Sequence, residues 1–177
     1  MHRLFLAIRP PEDIRDVLID AMDDSPALRW VGDEQLHLTL RFIGEVDRHV
    51  AGDVHAALGS IHHPTFDIGI NGLGAFDRRG EATTLWAGVA PHEPLKALHK
   101  KVDQACLKAG VAPDQRAYHP HITLARLRRG AGLVQPLLES AGGVSGPAFT
   151  VDTFCLYESQ LAPEGSIYSI LERYPLD

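Results

Sequence analysis

The sequence predicts an α+β fold built on antiparallel sheet, and two observations carry this prediction. Several strand-like segments follow one another with no helix between them, which favours antiparallel pairing over a doubly wound parallel sheet. A strand that begins with His37 recurs at His121, about half a chain later, which indicates two similar lobes. The length of 177 residues fits a single domain spanning 1–177.

Hydrophobic periodicity and capping residues place the elements. Helices are expected at 10–21, 47–58, 93–109 and 133–140. Strands are expected at 4–9, 36–43, 66–70, 83–89, 122–127, 149–157 and 166–173. Asp47 is the expected cap of the second helix, and Gly44 the expected end of the strand before it. Gly72, Gly74 and Gly80 predict a turn region between the third and fourth strands.

Composition excludes several classes of protein. The chain is 45% hydrophobic and 23% charged, which is ordinary for a globular protein. No apolar stretch approaches the roughly 18 residues of a membrane span, and the run at 4–8 is too short for a secretory leader. Cys106 and Cys155 stand alone, which disfavours a disulfide framework or a cysteine zinc site. The cysteine usage fits a reducing cytoplasm. We also expect a monomer without a cofactor.

The charge is unevenly distributed. A net charge of −6 argues against a protein that coats duplex nucleic acid, because such binding needs many cations. Residues 100–129 nevertheless hold seven basic and two acidic side chains. This zone suits a small anionic group. A solvated helix face followed by a basic loop explains it equally well.

A His-x-Thr-Leu tetrapeptide occurs twice, at 37–40 and 121–124. Side chains alternate along a strand, so each His and its Thr share one face while the apolar residues anchor the other. A single copy is more simply a structural strand, because Thr is common in strands. Two copies arise by chance at only about the 0.3% level. The pair therefore predicts a functional site.

Two histidines and two threonines in one cleft suit phosphoryl or acyl chemistry without a metal. Imidazole titrates near pH 6.5, so one ring can be neutral while the other is protonated. The neutral ring takes a proton from water, and the protonated ring gives one to the leaving oxygen. The hydroxyls of Thr39 and Thr123 can donate hydrogen bonds to phosphate oxygens.

Two arginines are further candidates, with opposite geometry. Arg41 lies four residues after His37, so strict alternation puts it on the histidine's face as a ligand for phosphate or a base. A surface arginine on an edge strand is an equally good interpretation. Arg126 lies five residues after His121, so it reaches the site only if the strand twists, bulges or ends near Ala125.

Other side chains suggest alternatives. His119 and His121, with His62 and His63, could form a metal site, but Pro120 interrupts pairing and no carboxylate or cysteine stands at a familiar ligand spacing. A metal site is therefore disfavoured. The large aromatic residues are expected to line the core or the cleft, where any of them could stack on a base: Trp30, Trp86 and Tyr168.

With these residues in view, the sequence resembles the two-histidine (2H) phosphoesterase superfamily. Within it, the chain is most similar to the bacterial and archaeal RNA 2′,3′-cyclic phosphodiesterase family, also called 2′-5′ RNA ligase-like. The resemblance covers essentially the whole chain, and the two His-x-Thr motifs are its most specific part. The segments that carry it are Arg3–Ile8, Leu36–Val46, Leu85–Val89, Tyr118–Arg126 and Leu156–Ser159.

The resemblance implies a fold and a reaction. The implied fold has two pseudo-symmetric lobes of antiparallel sheet, with helices outside and a cleft between them. The implied reaction is hydrolysis of RNA 2′,3′-cyclic phosphate ends to 2′-phosphomonoesters, without metal or cofactor, and relatives also join or cleave 2′-5′ linkages. The implied partners are RNA 3′ ends or short oligonucleotides.

The resemblance also implies residue roles. His37 maps onto the family's proton donor and His121 onto its proton acceptor. Thr39 and Thr123 map onto phosphate contacts, and Arg126 onto a substrate-binding arginine. The sequence departs from the family at two positions beside the motifs, which leaves the nucleobase preference open: Gln35 and Tyr118.

Three other functions remain open at this stage. The chain could be a phosphodiesterase for another small 2′-5′ or cyclic nucleotide. It could be a non-catalytic module that binds RNA ends. It could also be a metal-dependent hydrolase, which a chelator would inhibit.

Overall fold

The computed structural model describes residues 1–23, 25–130, 138 and 144–177. Within these ranges the chain forms strands and helices in the order β1 (His2–Ile8), α1 (Glu12–Asp20), β2 (Leu28–Trp30), β3 (Leu38–Val46), α2 (Arg48–Leu58), β4 (Phe66–Arg78), β5 (Glu81–Ala90), α3 (Glu93–Lys108), β6 (His121–Leu127), β7 (Phe149–Val151), β8 (Thr153–Ala162) and β9 (Gly165–Pro175). The helix expected at 133–140 lies outside the described residues, apart from Leu138. No helix in the described ranges combines the length and hydropathy needed to cross a bilayer.

The strands form one antiparallel sheet, which confirms the predicted α+β class. Their spatial order is β7-β4-β5-β6-β3-β1-β8-β9, with β2 paired to β6. The two motif strands are neighbours at the centre, where Leu38 lies opposite Ile122. Four strands flank this junction on each side, so β9-β8-β1-β3 and β7-β4-β5-β6 are the two similar lobes that the repeated motif predicted.

The helices cover one face of this sheet. Ile14 of α1 and Val102 of α3 are fully buried, in one cluster with Leu38 and Ile122 from the central strands. Because side chains alternate along a strand, His37 and Thr39 then project from the opposite face. The packing thus leaves the face that carries both motifs open.

The third and fourth predicted strands differ from expectation. The glycine-rich segment is not a turn, because β4 continues through it to Arg78. Gly72, with φ of 75°, lies in a bulge, and Gly74 makes room for Trp86, whose ring would lie 2.3 Å from a Cβ atom there. The turn is confined to Arg79 and Gly80, both with positive φ.

Other element ends follow from pairing and capping. The backbone N–H of Val50 donates to Asp47 at 2.9 Å, which confirms the predicted cap and lowers the pKa of that carboxyl group. Gly44 does not end β3, because it occupies a bulge at φ of 84° and pairing continues to Val46. The strand expected at 149–157 is two strands, because β7 pairs with β4 in one lobe and β8 pairs with β1 in the other.

The contact between Gly74 and Trp86 gives a test of this packing. We expect Gly74→Ala to lower the free energy of unfolding by about 1–3 kcal/mol, because the added methyl group would displace the indole ring. Gly52 is the matched control, since it lies in α2 with nothing within 4 Å of an added Cβ atom. Gly52→Ala should stabilise by about 0.5–1 kcal/mol. Urea unfolding measures both, and equal midpoints for Gly74→Ala and the wild type would contradict the contact.

Candidate active site

The two motif strands carry the same irregularity at the same place. In the pairing of β3 with β1, Leu6 lies opposite Arg41 and Ala7 opposite Thr39, so Leu40 is an extra residue. The pairing of β6 with β5 likewise passes over Leu124. Each bulge falls three residues after the histidine of its motif. The repeat in the sequence is therefore also a repeat in backbone geometry.

The bulge reverses the alternation beyond it, so the expectation for Arg41 is wrong. Leu40 and Arg41 are both buried, and Phe42 takes the exposed position, at 50%. The Arg41 guanidinium donates to Asp103 at 2.8 Å, to the Ala112 carbonyl at 2.7 Å and to the Phe42 carbonyl. Each of its three nitrogens thus makes a hydrogen bond within the protein, which favours a structural role for Arg41 over that of a ligand for phosphate.

The equivalent bulge in β6 has the opposite effect on its arginine. Leu124 and Ala125 are both buried, and Arg126 moves to the face that carries His121. One guanidinium nitrogen of Arg126 donates to the Thr84 hydroxyl at 3.1 Å. A regular strand would keep Arg126 out of the cleft, and the bulge beside Ala125 brings it there. Arg126 and Phe42 are thus equivalent positions in the two lobes.

The two histidines are held in the same way. Nδ1 of His37 lies 2.7 Å from the Gln35 carbonyl, and Nδ1 of His121 lies 2.6 Å from the His119 carbonyl. A carbonyl only accepts hydrogen bonds, so each neutral ring carries its proton on Nδ1. Nε2 of each ring is then left as the nitrogen with a free lone pair. This is the tautomer that a general base needs.

Aromatic side chains pack against both imidazoles. Phe5 and Tyr168 lie against His37, with ring centroids 5.0 and 5.4 Å away. Phe76 lies edge-on to His121 at 4.8 Å, and Trp86 is 6.1 Å away. These rings exclude water from one side of each histidine.

Burial shifts the protonation of both rings. It lowers the pKa of His37 to about 4, and the positive charge of Arg9 acts in the same direction. Burial also lowers the pKa of His121, with smaller contributions from His119 and Arg126. The hydrogen bonds to the two carbonyls oppose these shifts, because they favour the charged ring. At neutral pH both imidazoles of the free protein are therefore mainly uncharged.

A cleft of about 420 Å³ brings most of the predicted residues together. Five of the six arrive in it, namely His37, Thr39, His121, Thr123 and Arg126. Trp30 and Tyr168 also line the cleft, whereas Trp86 packs against His121 and His119.

The structure does not bring the other histidines to this cleft. His62 lies 3.3 Å from the Asp177 carboxylate, and the His63 carbonyl accepts the Asp177 backbone N–H. His119 lies nearer, with its ring 5.8 Å from that of His121. Among the described residues, no three His, Cys, Asp or Glu side chains gather closely enough to hold a metal ion.

Sequence reasoning missed the residues that fix the loop before His37. Arg9 donates to the Leu36 carbonyl at 2.7 Å and reaches Asp33, which Arg15 also holds at 2.9 Å. The hydrogen bond and charge of Arg15 lower the pKa of Asp33. These residues carry no motif, so the sequence offered no signal for them.

Gln35 also links this loop to the last hairpin, which is formed by β8 and β9. The Gln35 side-chain amide donates to the Ser166 backbone carbonyl at 3.0 Å, while the Gln35 backbone carbonyl accepts from Nδ1 of His37. Phe42 was also missed, because its place in the cleft depends on the bulge. Strict alternation would have put Phe42 on the buried face with Leu38 and Leu40, so the sequence offered no signal for it.

Known proteins are similar to this chain in sequence and in fold. The family model of the 2′-5′ RNA ligase superfamily matches residues 10–162. An Aeropyrum pernix RNA 2′,3′-cyclic phosphodiesterase is 35% identical over 147 residues, covering 81% of this chain and 84% of that protein. An Escherichia coli K12 protein of the same name is 32% identical and covers 99% and 97% of the two chains.

Solved structures agree with these matches. The crystal structure of E. coli LigT complexed with 3′-AMP superposes with a TM-score of 0.79 at 29% identity. The match covers 99% of this chain and 98% of that one. The resemblance noted from the motifs is thus confirmed: the chain belongs to the 2′-5′ RNA ligase superfamily, whose members include two-histidine phosphoesterases.

Proposed function

We propose that this protein is an RNA 2′,3′-cyclic phosphodiesterase that uses two histidines and no metal. The observation that carries the proposal is the twinned arrangement of His37 and His121, each fixed through Nδ1 by a carbonyl two residues earlier, on one cleft. Relatives with that name, at 35% and 32% identity, support the reaction class. The product is a 2′-phosphomonoester.

The reaction needs two proton transfers. Nε2 of His121 takes a proton from water as the water oxygen forms a bond to phosphorus. The P–O3′ bond breaks, and protonated His37 gives its proton to O3′ as general acid. One water is consumed, and the products are a 2′-phosphate and a free 3′-hydroxyl. Exchange of protons with solvent then restores both rings.

The remaining residues stabilise charge and position the ligand. Thr39 and Thr123 donate hydrogen bonds to the non-bridging oxygens, and Arg126 offsets the charge that builds on them. The exposed ring of Phe42 offers a surface for a base. A 5′-hydroxyl in place of water would make a 2′-5′ linkage by the same steps, so reversible ligation is part of the proposal.

The donor role of His37 requires help from the substrate. In the free protein, burial keeps the pKa of His37 at about 4, too low for an acid at neutral pH. A phosphate anion between the two rings favours their charged forms and raises both pKa values. We therefore propose that His37 gains its proton together with the substrate.

We also propose that residues 1–177 act as one domain and as a cytoplasmic monomer. The sheet is continuous from β7 to β9, and one chain supplies both histidines of the cleft. Cys106 and Cys155 are buried free thiols, which fits a reducing compartment.

The main prediction concerns the two histidines. An end-labelled RNA with a 2′,3′-cyclic phosphate should be converted to the 2′-phosphate in excess EDTA. His37→Ala and His121→Ala should each reduce kcat by about 10²–10⁴-fold, because each removes one proton transfer. The double variant should lose much less than the product of the two effects.

Other outcomes would select the alternatives. Activity that EDTA abolishes and added metal restores would establish a metal-dependent hydrolase. Tight binding of the RNA without turnover in either condition would indicate a binding module. Turnover confined to a 2′-5′ dinucleotide or a cyclic mononucleotide would identify a phosphodiesterase for that small nucleotide instead.

The lowered pKa values predict an acidic optimum. The profile of kcat/KM, which reports the free enzyme, should be bell-shaped with both limbs below pH 6.5, because burial lowers the pKa of both rings. The profile of kcat should lie at higher pH, since bound phosphate raises them. NMR titration of the imidazole protons, assigned with His37→Gln, should place His37 near 4. A kcat/KM profile with an alkaline limb well above 6.5 would contradict the burial effect.

The two arginines should separate binding from stability. Arg126→Gln should lower kcat/KM by roughly 10–10²-fold with unchanged unfolding, since Arg126 is exposed in the cleft. Arg41→Gln should cost roughly 2–4 kcal/mol of stability, because it leaves Asp103 and two carbonyls without their donor. Enzyme assays and urea unfolding of both variants provide the test. The reverse pattern would return Arg41 to the site.

A further inference from the structure

A second concave surface begins where the catalytic cleft ends. Four arginines surround a hollow of about 670 Å³, which we call the arginine hollow: Arg78, Arg79, Arg128 and Arg129. All four are exposed, and Glu81 is the one acidic residue among the described residues that line it. Within the described part of the chain, no salt bridge involves these arginines. The hollow is thus a concentrated positive charge on an acidic protein.

The hollow lies next to the cleft along β5 and β6. Thr84 and Arg126 are opposite each other on β5 and β6 and line the cleft, whereas Thr83 and Leu127, the next residues, line the hollow. Arg128 lies two residues beyond Arg126, which is about 7 Å along a strand. By alternation Arg128 shares the face of Arg126, so it is within reach of a chain that leaves the cleft along β6.

The turn at the rim of the hollow is a further indication that the hollow binds an anion. Arg79 has φ of 54° and Gly80 has φ of 81°, the geometry of a two-residue hairpin that favours Asn or Asp before Gly. A side chain such as arginine is strained in this left-handed region. The turn alone does not account for an arginine at position 79. Its positive charge at the rim of the hollow does.

We infer that the arginine hollow binds the backbone phosphates of the nucleotides that precede the cyclic end of an RNA strand. This inference rests on the proposed function and deepens it. The substrate is then an oligonucleotide whose terminal phosphate enters the cleft while its preceding phosphates contact the arginines. Single-stranded RNA fits, because guanidinium groups recognise phosphate oxygens without regard to base sequence.

The test compares a long and a short substrate. A ten-nucleotide RNA with a 2′,3′-cyclic phosphate and a 2′,3′-cyclic mononucleotide are assayed with Arg128→Gln/Arg129→Gln and with Arg78→Gln/Arg79→Asn. Asparagine at 79 preserves the left-handed turn. The control removes the same charge from exposed positions on α2 and α3, as Arg48→Gln/Lys100→Gln. Circular dichroism and thermal unfolding confirm that each variant is folded.

We expect each hollow variant to lower kcat/KM on the ten-mer by about tenfold or more, and to leave hydrolysis of the mononucleotide within twofold. The salt dependence on the ten-mer should become shallower by about 1.4 in the log–log slope, for two lost phosphate contacts at about 0.7 each. The control should match the wild type on both substrates.

Three results would overturn the inference. These are an equal loss on both substrates, no loss on the ten-mer, or an equal loss in the control. Binding of polyglutamate is measured in parallel. Hollow variants that lose it but keep binding of RNA would also overturn the inference and assign the hollow to an acidic protein. If the wild type hydrolysed neither substrate, the proposed function would fail. Fluorescence anisotropy with the ten-mer would then decide the inference separately, since unchanged binding in the hollow variants would exclude it.

Discussion

The active cleft depends on one extra residue in each central strand. A regular strand would send every second side chain to the cleft, so Arg41 would join His37 and Thr39, and Ala125 would join His121 and Thr123. The bulges at Leu40 and Leu124 instead place two consecutive side chains on the buried face and bring Phe42 and Arg126 forward. One lobe thereby contributes an aromatic ring and the other a guanidinium group. The two lobes share a backbone but differ chemically at this position.

The surroundings of the two histidines have opposing effects on the pKa of each ring. Aromatic packing and burial favour the neutral ring, while the carbonyls of Gln35 and His119 fix the tautomer and favour the charged ring. An imidazole in this position responds strongly to a nearby anion. Residues without a motif support the arrangement, since Arg9 and Gln35 hold the loop that precedes His37.

Sequence reasoning identified the features that local chemistry determines. Asp47 was recognisable as a helix cap, and the duplicated His-x-Thr motif located four of the cleft residues. The alternation rule failed at Arg41, because a bulge depends on pairing with a neighbouring strand that the sequence does not specify. Gly74 was assigned to a turn because glycine favours turns, whereas here it makes room for the ring of Trp86 on a neighbouring strand. Contacts with neighbouring strands determine the environments of Arg41 and Gly74.

The strand order also has a consequence for how the protein is made. β1 lies between β3 and β8, so the lobe that contains His37 joins strands from both ends of the described sequence. Tyr157 and Tyr168, which pack against Phe5 beside His37, both come from the final hairpin. In a nascent chain β1 can pair with β3 early, but its second partner, β8, emerges much later, and such distant pairings slow folding. The surroundings of His37 are completed only when the last hairpin docks, so an incomplete chain on the ribosome lacks a finished cleft.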